Sequence, residues 1–567
     1  MPYWKHMAIE LAGRPIDSDA SNITLASVDV HSSVYAPASA TVIWRDRHFE
    51  IPDIAEIGKE VLIRANSSAG AQAVIFAGVV VAMSVDIGPR GRFTTLRAMN
   101  RSYALLTTPR VASFTKSTVE DMAKKVAQRS GLSLKEAPKD TTRYDHFSQA
   151  SVTDWEFLQK LGRLTGTVVK IAGKEICMSP LRSVQGGEAD VTIDATKGRD
   201  GIAISIDAVG QTGSVELRAW NAEKKKEITV VEKKHSAASE HVELGSGITP
   251  AKAAALLQVE DPFLAAEGCT TEDRAIKDSE DLGRQQASRF LALEATVPLN
   301  PTLVGGSVVE VTKAGAYFSG RYTATGVRHL FDSADARCVT TISVTSLPRT
   351  SAASTGSGQA AGRVGGVAIA LVEDVKADHP DTGMVRLRFP WLSPDYVSGW
   401  VRTLQLSGGG VFLPDVNDEV LVSFEQGSLE HPVVLGRLFN GGDDENDKPV
   451  AHEGPLWHKD TGHVNRRSIA SPAGDVMEFL DEEGAIEGIR LRTKDSKAEV
   501  FLDRNENVIS FTCTDGTITL DAQKIVMTAT DGIDLSAAAL KLTADGGEIE
   551  ALAESVTIDG SASVHIN

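Results

Sequence analysis

The chain is 567 residues long and 42% hydrophobic, with four cysteines and a formal net charge of −18 at pH 7. That length calls for three or four domains rather than one, and the excess of acid argues against nucleic acid or an anionic membrane surface as the main partner. Cys177, Cys269, Cys338 and Cys513 lie far apart with no CxxC, which indicates neither a disulfide framework nor a zinc ribbon and fits a reducing compartment of synthesis. No basic run followed by an apolar core opens the chain, so the expectation is synthesis and assembly in the cytoplasm without a signal peptide. No apolar run approaches membrane-spanning length.

In chain order, residues 1 to about 110 read as β-rich, with strands expected at 40–44, 60–64, 73–85 and 93–99. Ser117-Thr118-Val119-Glu120 has the form of a capping box, opening a helix that Gly131 stops. A second helix begins near Thr153 or Asp154 and ends at Gly166, with Trp155, Leu158, Leu161 and Leu164 on one apolar stripe. Strands resume at 168–178, 202–206 and 215–219. Thr249-Pro250 starts a short helix, since Pro is favourable at the first helical position. Residues 271–295 read as a longer amphipathic helix, followed by strands at 308–312, 322–327 and 339–344. From 348 to 366 Ser, Ala, Thr, Gly and Gln dominate, a composition that cannot bury a core and reads as a flexible linker. The glycines at 356, 358 and 362 have the wrong spacing and context for a dinucleotide loop.

Residues 367–440 carry short strands at 385–389, 399–403, 419–425 and 432–438 between Pro and Gly turns, the layout of a small five-stranded barrel of the OB type. An acidic and then His-containing stretch, 441–475, reads as a neck. Its histidines His452, His458 and His463 have no Cys or placed carboxylate to complete a zinc set, so they read as polar linker. No HExxH, GxSxG or Walker loop is present, and Asp481, Glu482 and Glu483 read as a solvated turn; the chain is expected not to be an enzyme.

The last fifty or so residues repeat one small unit. Apolar pairs Ile518/Leu520, Ile525/Met527, Ile533/Leu535, Leu540/Leu542, Val556/Ile558 and Val564/Ile566 recur every seven or eight residues, with Ile549 in a weaker place. A spacing of two puts both members on the same face of a short strand. Turn residues such as Thr514-Asp515-Gly516 and Asp559-Gly560 separate them. One strand and one turn per repeat leave an apolar edge the chain cannot cover, whereas a self-sufficient coil needs roughly twice as many residues per turn. Several copies must therefore wind together, and three closes a compact prism. The expectation is a triple-stranded parallel β-helix over 476–567 with those twelve paired residues as the trimer core. At ~4.8 Å per repeat it makes a rod on the order of 50 Å. A β-sandwich would need aromatic core residues, and after Phe479 the tail has only Phe501 and Phe511.

Specific residues also carry a family resemblance. Met384-Val-Arg-Leu-Arg-Phe-Pro-Trp391, Gly399-Trp-Val-Arg402, Leu413-Pro-Asp-Val-Asn-Asp-Glu-Val-Leu-Val422, Phe424-Glu425 and His431-Pro-Val-Val-Leu-Gly-Arg-Leu-Phe-Asn440 together resemble the OB domain of the VgrG and phage-baseplate spike family. Gln149, Asp154-Trp-Glu-Phe-Leu158, Leu161 and Gly166 resemble its hub, and Phe318-Ser-Gly-Arg-Tyr322, Val327 and His329 its closing strands.

The resemblance implies a mainly β chain. A hub over 1–347 holds two tube-like β-barrel regions around a helical segment at about 115–166, followed by the OB neck and the β-helical needle. It implies a structural spike and hub of a contractile injection system: a homotrimer that caps a hexameric inner tube, touches baseplate proteins and pierces a target membrane, without nucleic acid. A type VI secretion VgrG or a contractile-phage tail spike is the alternative, and a receptor-binding β-helical fibre a more distant one. Residues 441–467 depart from the segment usual in type VI VgrG proteins, which favours a released or cell-bound phage-tail-like particle. The forty or so residues between Asn440 and the repeats leave no room for the lysozyme domain of some relatives. No cofactor is implied apart from iron at the tip, for which His565 from three chains is the candidate ligand. Strict alternation turns His565 outward, and three imidazoles fall short of an octahedral set unless Asn567 joins. The favoured end is therefore flat, capped by a separate PAAR-type tip protein.

Overall fold

The computed structural model describes residues 7–16, 22–66, 72–89, 91–185, 187–197, 201–221, 224–232, 241–266, 271–346, 365–377, 382–393, 395–407, 410–438, 456–471 and 473–557. The expected linker, apart from Gly365 and Gly366, lies outside these residues, as do His452, Ile558, Val564, His565 and Ile566. The chain divides into two units, 1–438 and 439–567.

The first unit is mainly β. Its largest sheet has eleven strands in the order Ile202–Ile206, Leu291–Pro298, Arg337–Val344, Gly326–Asp332, Ile23–Ser33, Ser39–Asp46, Gly91–Met99, Gln72–Gly88, Glu60–Asn66, Met7–Leu11 and Arg14–Pro15. Alternation builds it: Glu60–Asn66 buries Val61, Ile63 and Ala65 on one side, as a half-buried strand should. The two β-rich regions of the sequence are joined where Ile23–Ser33 pairs antiparallel with Gly326–Asp332, Gly326 facing Ser33 and Asp332 facing Ser27. On the early side the core is built around Trp44, Leu25, Val42, Ile63 and Leu96. On the late side it is built around Tyr322, Leu293, Val309, Val327 and Ile342.

Between them lies a helical insert. Its helices Val119–Arg129 and Asp154–Thr165 bury Met122, Val126, Phe157, Leu158 and Leu161 against Phe114 and Phe147. The first helix has its capping box one residue later than expected: Thr118 accepts from the Asp121 N–H and Asp121 accepts from the Thr118 N–H. The second starts and ends where expected, and the structure adds a capping box of Thr153 with Glu156 at its start, with left-handed Gly166 at its end. Residues 168–178 form a hairpin, Val168–Ala172 against Glu175–Ser179, rather than one strand.

The long helix also differs from expectation, running Glu272–Ser288 and not to 295. Leu291, Leu293, Ala295 and Val297 are buried at alternate positions, and this period of two is satisfied by a strand. Helical propensity in Leu-Ala-Leu-Glu-Ala yields to a vacant place in the large sheet.

Residues 367–437 close a five-stranded barrel in the order Val367–Asp374, Met384–Arg388, Val401–Thr403, Pro432–Arg437 and Glu419–Phe424, the last pairing with the first. Val372, Leu387, Phe389, Tyr396, Val420 and Val434 fill it.

In the second unit Arg466–Ala470, Val476–Glu482, Ile486–Arg492, Ala498–Asp503 and Val508–Cys513 form an antiparallel meander in chain order. The first part of the span expected to be parallel β-helix is thus an antiparallel sheet. Residues 514–557 carry no strand in the single chain.

Candidate functional site

The meander's registers place two apolar rows side by side on one face. Ile469, Met477, Leu491, Val500 and Phe511 stand directly opposite one another across the five strands, and so do Phe479, Ile489, Leu502 and Ile509, with Arg467 at the end of their row. All of these apolar residues except the half-buried Val500 are between 37% and 65% exposed. The other face buries Val476 and Leu480, and there Arg490 donates two hydrogen bonds to Glu478, at 2.9 and 2.7 Å. The meander therefore carries an exposed apolar face with a charged margin, where Arg504 pairs with Asp481 and Glu487 at 3.3 and 2.8 Å.

The tail continues this pattern. Ile518, Leu520, Ile525, Met527, Ile533, Leu535, Leu540, Leu542 and Val556 are 50% to 66% exposed. Covering what remains exposed of each is worth roughly 1 kcal/mol, on the order of 10 kcal/mol per chain for the nine. Contiguous apolar surface of this extent marks an interaction site.

The second arrangement ties the OB barrel to the helical insert. Glu430, on the loop before the barrel's last strand in sequence, accepts from Lys160 Nζ at 2.9 Å and from the Ser148 N–H at 3.4 Å. The Ser148 and Tyr396 hydroxyls bond at 2.8 Å, and His146 Nε2 lies 3.3 Å from the Val397 carbonyl oxygen. A Cβ on Gly399 would stand 3.1 Å from that of His146, so the barrel backbone approaches closely here. Burial pushes the Glu430 carboxyl up, but Lys160 and Arg274 outweigh it and hold the group at about 2. Burial pushes His146 and His431 down, against the pull of Glu430.

The residues that carry the family resemblance serve the fold. Asp154, almost fully buried, accepts from Gln149 Nε2 at 2.9 Å and from Arg129 Nε at 3.2 Å. The Tyr322 hydroxyl donates to the Phe318 carbonyl. His329 sits between Thr340 Oγ1 at 3.0 Å and the Leu303 carbonyl at 3.2 Å, pushed down to about 4 by burial. Trp391 Nε1 donates to the Ile369 carbonyl at 2.7 Å, and Arg437 pairs with Asp418 at 3.1 Å.

Among the described residues no group of three or more His, Cys, Asp or Glu side chains is placed to hold a metal. His458 Nδ1 accepts from the Thr461 N–H at 3.3 Å and its own N–H donates to the His463 carbonyl at 2.8 Å, the bonding of a turn. Asp481 pairs with Arg467 and Arg504, and Glu482 with Arg466. The sequence reading passed over the meander's stripe, although the alternation of Met477 and Phe479 with Ile489 and Leu491 signals it. It also passed over the Glu430 junction, which no local pattern reveals.

The Type VI secretion system spike protein VgrG1c of Pseudomonas aeruginosa is 26% identical over 136 residues, 22% of this chain and 17% of that protein. VgrG1b of the same organism is 26% identical over 133 residues, 22% of this chain and 16% of that protein. The match thus spans about one sixth of the length of these curated relatives. A chain of the Francisella PdpA-VgrG complex shares the fold with a TM-score of 0.52 at 9% identity, over 89% of this chain and 88% of that one. The Type VI secretion system/phage-baseplate injector OB domain model matches residues 368–439, the closed barrel. The Alg8 N-terminal domain model matches residues 6–332, more than half of the 567, and the chain belongs to that family.

Proposed function

We propose that three copies of this chain form the central spike and hub of a contractile injection system. The observation that carries this reading is the two-row apolar stripe of the meander, followed by nine exposed apolar residues at repeat spacing in the tail. Three meanders with their stripes turned inward make the faces of a triangular prism. Beyond them the tails wind into a triple-stranded β-helix, with Ile518 through Ile566 as its shared core. Each strand is then paired around a closed surface, leaving no lateral edge to peel. Residues 1–347 act as the hub on a hexameric inner tube and against baseplate proteins, and the OB barrel is the neck. The role is mechanical rather than catalytic: when a sheath contracts, the prism is driven into a target membrane. Assembly takes place in the cytoplasm, and the trimer works in a released or cell-bound particle with a PAAR-type protein on its flat end. The likeness to VgrG1c supports a type VI secretion spike as a second setting for the same trimer.

Light scattering after size exclusion tests the trimer. A mass near three times 60.4 kDa, with rod-shaped particles in negative stain, is expected. A monomer at micromolar concentration defeats the reading.

A further inference from the structure

Where the helical insert meets the later β-rich part of the hub there is a cavity of about 130 Å3, lined among others by Tyr35, Arg163, Asp281 and Arg284. Two of these hold the walls together: Arg284 Nη2 donates to the Arg163 carbonyl at 2.6 Å, which ties the C-terminal turn of Asp154–Thr165 to Glu272–Ser288. Arg284 lies 3.8 Å from Asp281 and 3.9 Å from the half-exposed Glu280, so its charge is shared between two carboxylates. Asp281 Oδ2 accepts from Gln285 at 2.8 Å, while Oδ1 is buried and accepts no hydrogen bond.

Arg163 and Tyr35 are different. Neither the Arg163 guanidinium nor the Tyr35 hydroxyl bonds any other group among the described residues. Burial pushes the Arg163 guanidinium down, countered only by Asp281, and pushes the Tyr35 hydroxyl up to about 12. Both side chains are half-buried on the cavity wall, with their donors unused. Such groups call for an acceptor, and a guanidinium suits a carboxylate best, through two parallel hydrogen bonds. The rest of the wall mixes apolar side chains, including Leu181, Ile248, Phe290 and Leu291, with polar ones such as Thr167, Thr323 and Thr325. A cavity of roughly 150 Å3 takes one benzene-sized body.

We propose that this cavity binds a small organic carboxylate with a short apolar body. Its carboxylate is held by Arg163 and Tyr35, and a hydroxyl on its far end donates to Asp281 Oδ1. The proposal is independent of the spike reading, because it concerns a site within one chain.

The probe is 3-hydroxypropionate, a six-heavy-atom acid that suits about 130 Å3, with neutral 3-hydroxypropionamide as its control, titrated into the full chain by calorimetry and followed by thermal unfolding. One site per chain is expected, with a rise in the unfolding midpoint. The amide, and the variants Arg163→Gln and Tyr35→Phe, should each bind about tenfold more weakly, the loss of one charge-assisted contact. Arg163 and Tyr35 make no side-chain hydrogen bond among the described residues, so both variants should unfold near the wild-type midpoint without ligand. Three results would overturn the site: no binding at about 10 mM, equal binding of acid and amide, or binding as tight in Arg163→Gln as in the wild type. A crystal structure in the probe with only ordered water in the cavity would do the same.

Discussion

Lys160 and Glu430, 270 residues apart in sequence, meet at 2.9 Å and fasten the OB barrel to the helical insert. Lys160 also lies over the Phe147 ring at 4.6 Å, and Arg274 over the same ring at 5.2 Å while paired with Asp278 at 2.9 Å. Two cations and one aromatic ring thus converge where a single barrel carboxylate arrives. Removing Glu430 leaves half-exposed Lys160 without its ion-pair partner, while Arg274 keeps Asp278. Glu430→Gln should destabilise the first unit by about 1 kcal/mol, the loss of one charge-assisted hydrogen bond at a partly solvated site. Lys160→Met with Glu430→Gln should recover part of that loss. A double-mutant cycle by urea unfolding measures the coupling, and additive losses would mean the contact does not hold the junction.

Acid should loosen the same junction. His146 and His431 lie below their ordinary 6.5 in the folded chain because burial disfavours the cation. Their contribution is complete above 6.5 and is lost as pH falls below it. Glu430 sits at about 2 against an ordinary 4.5, so its contribution is complete above 4.5 and is lost only as pH falls from there towards 2. The histidines act first. Hydrogen exchange at 396–399 and 431–434 should be faster at about pH 5.5 than at about pH 7.5 after correction for intrinsic rate, and His146→Phe should reduce the difference. Equal protection at both values would rule this out.

The apolar stripe makes a sharper demand on the trimer. A carboxylate at Phe479 or Leu491 would bring three like charges into one dry seam, at a cost of several kcal/mol for each unpaired ion. Phe479→Glu is therefore expected to give monomers, while circular dichroism of the first unit's β structure stays unchanged. Removing 514–567 should weaken the trimer for the separate reason that the shared tail core is gone. Trimers that persist at nanomolar concentration after both changes would place the interface elsewhere.

Gly320 tests the packing of the late β-rich part. A Cβ there would stand 2.1 Å from the Glu243 carbonyl oxygen, across the pairing of Val242–Leu244 with Gly320–Thr323. Gly320→Ala should cost about 2 to 3 kcal/mol through forced backbone movement, read as a drop in the thermal midpoint. Gly436→Ala, with open space around it, is the control and should shift the midpoint little.

What the sequence disclosed follows the range of the forces involved. The helix start near Thr153 and its end at Gly166, Pro250 at a helix start and the barrel strands are set by near neighbours, and all were legible. At Leu291–Pro298 the local pattern allowed helix or strand, and a place beside Arg337–Val344 decided it. The meander was hidden because its strands alternate apolar on both faces, as Val476 and Leu480 against Met477 and Phe479 show. Glu430 was invisible because its meaning depends on Lys160, Arg274 and Ser148, none near it in the chain.

The pairing of Ile23–Ser33 with Gly326–Asp332 also has a consequence during synthesis. Asp29 and Arg328, bonded across it at 2.8 and 2.7 Å, are separated by 299 residues. At about 5 to 20 residues per second, the early strand waits roughly 15 to 60 s after leaving the ribosome for its mate to be made. Throughout that interval its free edge is a template for other nascent chains. Translation speed and chaperone supply, more than the stability of the finished sheet, should therefore govern how much soluble protein a cell recovers.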